Sequence, residues 1–379
     1  MDPQVRYHQM LVSPHVGGGA KLAMEIHAYA VTNRGPISQL LLPSGGEAKR
    51  TAEQARFPFT EYRVDRLTGP GRISSIVENL RLYAKTARHG LGVIHVHAPF
   101  VYAAAQSFFS VCRLKTVLHI HLDFSVEQLR WALRTPPDLV VICANFMRTP
   151  VEQAIGEKGS GRTNIKVMRN AVDLRRFRST DRRAAKANLG VRDDIPLLMM
   201  VANLAPHKGQ ETAVRAVAAL KGRGHQVRLW LVGNERSEGQ GHLRYLQELC
   251  KRLGIGDQVD FVGFRNDIPE LLGAADFVLL PSTSEGLPLV ILEAQASKAV
   301  VLAAPTAGVP EVIENGRTGF LIDAKDHEAY AARISCLLTN PDEVQAIKDA
   351  AYRHVHDHHD IDSYCRRVLQ EYDELLLAR

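Results

Sequence analysis

Two carboxylates eight positions apart, Glu285 and Glu293, stand on either side of a Gly286-Leu287-Pro288 turn. Ahead of them runs Phe277-Val278-Leu279-Leu280-Pro281, apolar, short and stopped by a proline, the profile of a buried parallel strand. A helix should follow, with Pro288 at its first position, where the missing N–H costs nothing and the fixed φ is already helical. The amides of Gly286, Leu287, Leu289 and Val290 would then gather at a helix N-terminus, a setting that favours phosphate. Glu285 would stand at the lip of that site. Glu293, a turn or more into the helix, could accept hydrogen bonds from a diol such as a ribose. Phosphate, sugar and ribose together describe a sugar nucleotide.

The blocks around this motif are ordered. Val259-Asp260-Phe261-Val262-Gly263-Phe264 precedes it, and Gly308-Val309-Pro310-Glu311-Val312-Ile313 and Gly316-Arg317-Thr318-Gly319-Phe320-Leu321 follow. In this order the chain resembles the family-4 retaining glycosyltransferases, whose fold is GT-B, over nearly its whole length. The resemblance implies an α/β protein of two Rossmann-like, doubly wound parallel-sheet domains facing a central cleft. It also implies a nucleotide-sugar donor held mostly by the second domain, with Glu285 on the sugar hydroxyls and Glu293 on the ribose. No protein nucleophile and no metal are required by that family's reaction.

Further roles follow from the resemblance, residue by residue. The loop Val201-Ala202-Asn203-Leu204-Ala205-Pro206-His207-Lys208-Gly209 matches one that clamps the donor diphosphate with an arginine and a Lys-Gly. Lys208 fits that pattern. Asn203 stands where arginine is common, so it can donate a hydrogen bond but brings no charge. Gly18 and Gly19 are expected at the diphosphate. In Thr116-Val117-Leu118-His119-Ile120-His121, the family's donor-sugar histidine aligns with His121, while His119, inside the strand, reads as a satisfied core residue. His97, near the end of Val93-Ile94-His95-Val96-His97, is the acceptor-side candidate.

Glycine at 17, 18 and 19 also invites a dinucleotide reading, since glycine lets a backbone approach phosphate closely. The Gly-x-Gly-x-x-Gly fingerprint is broken by Leu22, and no acidic residue closes a second strand at the required distance. His354, His356, His358 and His359 have the spacing of metal ligands, but a solvated helix face is the expectation there. No metal site is expected.

Positioning these residues takes two series of short apolar runs alternating with helical segments, the pattern of doubly wound parallel sheets. The first begins at 5–13 and continues at 92–97, 116–120 and 139–142, with helices expected at 72–89 and 100–112. The second runs through 197–201, 227–232, 259–261, 277–280 and 300–302. A charged stretch, 173–194, joins the series. The expected division is 1–175 and 176–360, with a last helix at 361–379 returning to the first domain.

At 379 residues the chain exceeds the ~250–300 at which one core stops growing, which fits two domains. It shows no apolar run of membrane-spanning length and no leader-like start, so the expectation is a cytoplasmic protein. Five scattered cysteines without a Cys-x-x-Cys pair read as reduced thiols. Charge is uneven: residues 1–180 carry 24 Lys and Arg against 13 Asp and Glu, while the remainder carries 23 against 28. That basic half, without a nucleic-acid module, points to a glycan or lipid-linked acceptor that is anionic or lies at an anionic membrane surface, on its inner face. Nucleic acid is not an expected partner. The donor is expected to be a UDP-sugar or GDP-mannose. A sugar-nucleotide epimerase of the same architecture and a non-catalytic sugar-nucleotide binding protein are the rival readings.

Overall fold

The computed structural model describes residues 7–378 apart from 36, 69–71, 87–91, 157–161, 178–180 and 236–239. The chain divides into two compact units, residues 1–170 together with 361–379, and residues 171–360. The division falls at 170/171 rather than 175/176 because Val172 already pairs with Asp360 of the second unit, its N–H donating to the His359 carbonyl at 2.9 Å.

The first unit holds seven strands: β1 (Tyr7–Met10), β2 (Ser38–Pro43), β3 (Phe59–Tyr62), β4 (Val93–Val96), β5 (Lys115–Ile120), β6 (Leu139–Ile142) and β7 (Asn164–Val167). They pair in parallel in the order β3-β2-β1-β4-β5-β6-β7. Strand order reverses between β1 and β4, the switch point at which open α/β sheets bind ligands. The strands β1, β2, β4 and β6 are buried at every position, as a sheet covered on both faces requires. The edge strands β3 and β7, Phe-Thr-Glu-Tyr and Asn-Ile-Lys-Val, are only half-buried.

Its helices are α1 (Gly18–Arg34), α2 (Gly46–Gln54), α3 (Val64–Thr68), α4 (Arg72–Thr86), α5 (Pro99–Ala104), α6 (Gln106–Val111), α7 (Val126–Ala132) and α8 (Arg148–Ile155). The expected helix over 100–112 is two helices broken at Ala105, and positions 87–89 of the expected 72–89 helix lie outside the described residues.

The second unit holds β8 (Leu197–Val201), β9 (Arg228–Val232), β10 (Val259–Gly263), β11 (Phe277–Leu280), β12 (Val300–Ala303) and β13 (Phe320–Leu321). They are ordered β10-β9-β8-β11-β12-β13, all parallel, with the switch point between β8 and β11. Leu198, Met200, Leu229, Leu231, Leu279 and Leu302 fill its core. Around the sheet lie α9 (Arg182–Asn188), α10 (Gln210–Gly222), α11 (His242–Arg252), α12 (Ile268–Ala274), α13 (Leu289–Ala296), α14 (His327–Leu338) and α15 (Pro341–His358).

The last helix, α16 (Ile361–Leu377), packs on α1. It is held there by polar contacts as well as apolar ones: the Tyr7 hydroxyl donates to Asp373 at 2.5 Å, and Arg34 pairs with Asp373 at 2.7 Å. No disulfide joins cysteines among the described residues, and none of their helices is long and apolar enough to cross a membrane.

Candidate functional site

In the second unit, two loops meet at the switch point. The turn after β8 ends at Gly209, whose φ of +77° favours glycine; a Cβ there would sit 2.0 Å from the Pro281 carbonyl oxygen. Glycine therefore lets the turn press against the loop that leaves β11. The contact is secured by the Thr283 N–H, which donates to the His207 carbonyl at 2.9 Å, and by the Ser282 hydroxyl, which donates to the Lys208 carbonyl at 3.4 Å.

This contact brings Lys208 Nζ to 2.8 Å from Glu285 Oε1. The side chains are 20% and 9% exposed, so most of the pair is withdrawn from water. Glu285 thus enters the site as half of an ion pair rather than as a carboxylate standing alone at a lip. Such a pair can do two jobs when an anion and a polyol arrive together. The ammonium offsets phosphate charge, and the carboxylate accepts from hydroxyl groups.

Pro288 corrects the expected helix start. It is extended, with φ −71° and ψ 124°, and occupies the N-cap, so α13 begins at Leu289. No side chain caps this end. The Leu289 and Val290 amides fall in the first turn, while Gly286 and Leu287 belong to the buried loop before it. Glu293 lies within α13 and is buried. Asn203 sits in the β8 loop, half-buried, its carbonyl accepting from Gln210 Nε2 at 2.9 Å.

In the first unit, Gly18 and Gly19 open α1 behind Gly17, an extended N-cap without a side-chain cap. A Cβ on Gly19 would lie 2.8 Å from Cδ2 of His121. The lack of a side chain at 19 is therefore what seats the His121 ring, a relationship that joins the end of β1 to the end of β5.

His121 belongs to a column of four histidines on neighbouring strands. His95 stacks on His97 with ring centroids 4.3 Å apart, His119 on His121 at 3.8 Å, and His97 on His121 at 5.3 Å. A hydrogen-bond chain couples their protons. Gln9 Nε2 donates to the Tyr372 hydroxyl at 2.8 Å, which turns Gln9 Oε1 toward His97 Nε2 at 3.0 Å. With Gln9 in this orientation, His97 Nε2 carries the proton and its Nδ1 accepts from His121 Nε2–H, 3.0 Å away; turning the amide over reverses both roles. Tyr372, already accepting from Gln9, donates to His95 Nδ1 at 2.5 Å. Through this chain, the tautomer of His121 is coupled to that of His97, to the Gln9 amide and to a tyrosine on α16.

Burial keeps the column neutral. It pushes the pKa of His121 down to about 4, that of His95 to about 3, and those of His97 and His119 well below the ordinary imidazole value. Two expectations change here. His97 is buried with both ring nitrogens bonded inside the protein, so neither is turned to an acceptor. His119 is buried as expected but not satisfied, since neither ring nitrogen has a hydrogen-bond partner.

His95, His97 and His119 each bring a ring nitrogen into one cluster with atoms within 4.8 Å of one another. The three rings lie within 11° to 36° of parallel. Parallel imidazoles aim their lone pairs side by side instead of converging them on one point, which does not suit a tetrahedral ion. The second histidine group is in part the solvated face expected of it, since His356 and His358 are exposed and His354 is half-buried. His359 is buried, and His354 stacks on His358 at 4.9 Å and approaches Glu314 at 3.7 Å.

Two doubly wound parallel sheets with ligand-type loops at their switch points are the architecture of a GT-B protein. Residues 181–354 match the model of the family described as Glycosyl transferases group 1, and the blocks at 259–321 that carry the resemblance lie inside this segment. A D-inositol 3-phosphate glycosyltransferase of Nocardia farcinica is 34% identical over 200 residues, 52% of this chain and 44% of that relative. The chain matches about half the length of such relatives or less. Among solved structures, HepE of Anabaena, in complex with UDP, superposes with a TM-score of 0.84 at 24% identity, covering 97% of this chain and all of the other. Sucrose-phosphate synthase of Thermosynechococcus elongatus gives 0.80 at 18% identity, covering 99% of this chain and 100% of the other. These likenesses show the fold.

Proposed function

We propose that the protein is a retaining glycosyltransferase that moves a hexosyl group from a nucleotide sugar, a UDP-sugar first and GDP-mannose second, to a hydroxyl acceptor. The observation that carries this reading is the Lys208–Glu285 pair beside the uncapped start of α13, with Glu293 buried inside that helix. Lys208 and the first-turn amides of α13 bind the diphosphate, Glu285 the sugar hydroxyls and Glu293 the ribose. Gly18 and Gly19 lend backbone amides to the diphosphate, and His121, with Asn203, supplies side-chain hydrogen bonds to the donor. The match at 181–354 and the UDP and UDP-glucose named with HepE support the donor class.

In the reaction, the bond between the anomeric carbon and the leaving phosphate oxygen breaks as the acceptor oxygen bonds to that carbon from the same face. The departing phosphate takes the acceptor proton. Charge grows on the leaving diphosphate, which is where a fixed ammonium and oriented amides lower the barrier. A lysine and a helix N-terminus supply that stabilisation without a metal, and the reading includes none.

The acceptor is a glycan or lipid-linked molecule that is anionic or held at an anionic membrane surface, as in polysaccharide or glycoconjugate assembly on the cytoplasmic face. The basic excess of residues 1–180 supports this, and D-inositol 3-phosphate, in the name of the relative, is itself a phosphorylated polyol.

A thermal-shift panel of UDP- and GDP-sugars, followed by turnover with and without EDTA, tests the reading. A ligand at 100 times its Kd stabilises by about 2.7 kcal/mol, enough to rank the donors. Donor release of UDP that needs acceptor and survives EDTA is expected. Sugar interconversion without acceptor would identify the epimerase, and tight binding without any turnover the binding protein.

A further inference from the structure

Helix α4 is packed with its polar side inward. Glu78 is 3% exposed and accepts from the Arg63 N–H at 2.8 Å. Asn79, also buried, donates to the carbonyls of Ser75 and Ala104 and accepts from the Phe108 N–H at 3.2 Å. Leu82 also turns inward, at 1% exposed, but four apolar residues are on the outside: Ile76 is 58% and Leu80 60% exposed, with Val77 and Tyr83 beside them. Positions 76, 80 and 83 lie on one face at helical spacing, with 77 at its edge, so the four form a stripe rather than scattered exposures.

An isolated exposed leucine needs no explanation, whereas a contiguous stripe marks a surface that something covers. Exposed aromatic residues lie on neighbouring helices as well. α4 packs on α6 and α5 on α7, and this layer also exposes Phe100 of α5 and Trp131 of α7, whose rings are 5.7 Å apart. The sequence could not reveal this, because Ile76, Leu80 and Tyr83 have the periodicity of a core face. The hydrogen bonds of Glu78 and Asn79 show that the core took the other side.

We propose that the α4–α7 layer of the first unit docks on an anionic lipid bilayer, the apolar stripe entering the headgroup boundary and the surrounding cations meeting the lipid phosphates. Charge selects this occupant. From 72 to 134 the chain has eight Lys and Arg against three Asp and Glu. On α4 the one carboxylate, Glu78, is buried with Arg81 3.6 Å from it, while Arg81 itself and Lys85, whose ammonium donates to the Glu61 carbonyl at 3.1 Å, are exposed beside the stripe. A second copy docking through the same face would set these cations against each other, because a two-fold interface repeats one patch on both partners. An anionic bilayer answers both features, since an amphipathic helix lying in the interface combines apolar burial with attraction of its basic rim. The proposal deepens the acceptor part of the functional reading by naming the surface, yet the docking itself involves neither donor nor acceptor.

The test is co-sedimentation of the full chain with vesicles of phosphatidylcholine alone, and of phosphatidylcholine and phosphatidylglycerol in equal parts, at low and high salt. Binding only to the anionic vesicles, weakened by salt, is expected. Trp131 should shift to shorter emission wavelength on binding, while Trp230, in the core of the second unit, serves as the internal reference. I76S/L80S, which alters only exposed positions, should reduce binding at least about tenfold with an unchanged melting temperature, and R81E/K85E should remove the salt-sensitive part. Failure to bind anionic vesicles, or binding untouched by I76S/L80S, overturns the proposal. A dimer in solution that I76S/L80S dissolves, without vesicle binding, assigns the face to a second copy and overturns it equally. A protein that docks but turns over no nucleotide sugar would sink the transferase reading and leave this one standing.

Discussion

Lys208 Nζ and Glu285 Oε1 lie 2.8 Å apart, although 77 positions separate the residues in the chain. Each comes from the loop that follows a strand flanking the switch point of the second sheet, and each is mostly shielded from water. The pair puts a donor of positive charge and an acceptor of hydroxyl protons within one ligand's reach. It also means that neither residue can be removed without changing the other's surroundings.

Glu285→Ala and Lys208→Met should each lower kcat/KM by a factor matching about 1.5–3 kcal/mol, the worth of a hydrogen bond to a charged group. Because the two side chains touch, the double variant should lose less than the sum of the single losses. The fold should survive, since both residues sit in loops outside the core. Steady-state kinetics and circular dichroism on the three variants check this. Near wild-type kcat/KM in Glu285→Ala would remove it from the site.

Gly19→Ala isolates the seating of His121. In an exposed helix start the change would be mildly favourable, because alanine is the better helix former by up to about 1 kcal/mol. Here the new Cβ would press to 2.8 Å on the His121 ring, and crowding of that kind costs about 1–3 kcal/mol. Steric cost should win, so Gly19→Ala is expected to melt earlier than the wild type. In a His121→Ala background the same substitution should be neutral or stabilising. If the penalty at 19 is the same in both backgrounds, the ring is not what excludes a side chain there.

The apolar strands that flank the site are more legible in the sequence than the contacts within it. Buried runs such as Leu139-Val140-Val141-Ile142 are legible because a central parallel strand is apolar on both faces. The edge strands Phe59–Tyr62 and Asn164–Val167 escape such a reading because they are half-buried and mixed in pattern, and buried Ser38–Pro43 escapes it because serine, glutamine and proline frame only three leucines. Glu285 and Lys208 could be picked out by motif, but their ion pair depends on Gly209 meeting the Pro281 carbonyl, a contact between distant segments. His119 differs from the expectation of a satisfied core residue for a related reason. A histidine inside an apolar strand says nothing of whether its neighbours can bond it, and here the neighbours are other histidines.

Acid should destabilise the first unit before carboxylates titrate. His27 is buried against Phe57 with Nδ1 on the Ser38 hydroxyl, and burial pushes its pKa down to about 4, as it does for His121. An unfolded histidine titrates near 6.5, so between the two values the unfolded chain binds more protons and stability rises with pH. The contribution is therefore intact above about pH 6.5 and is lost as pH falls toward 4. Melting temperature measured across that window should drop steeply, and His27→Leu should flatten part of the drop. A wild-type profile level from about pH 7 to 5 would mean these rings are hydrated in solution.

Asn203→Arg addresses the missing charge in the β8 loop. Lys208 is the cation that this loop contributes beside Glu285, and Glu285 already neutralises part of its charge. A second cation at 203 would act on the diphosphate, where negative charge increases most as the sugar departs, so it should favour the transition state over the ground state. The expected result is a larger gain in kcat than in affinity for UDP, with both effects shrinking in salt because the position is half-exposed. Asn203→Gln, which lengthens the side chain without charge, should give neither. If Asn203→Arg leaves both UDP affinity and turnover unchanged, position 203 does not neighbour the diphosphate and Lys208 alone answers its charge.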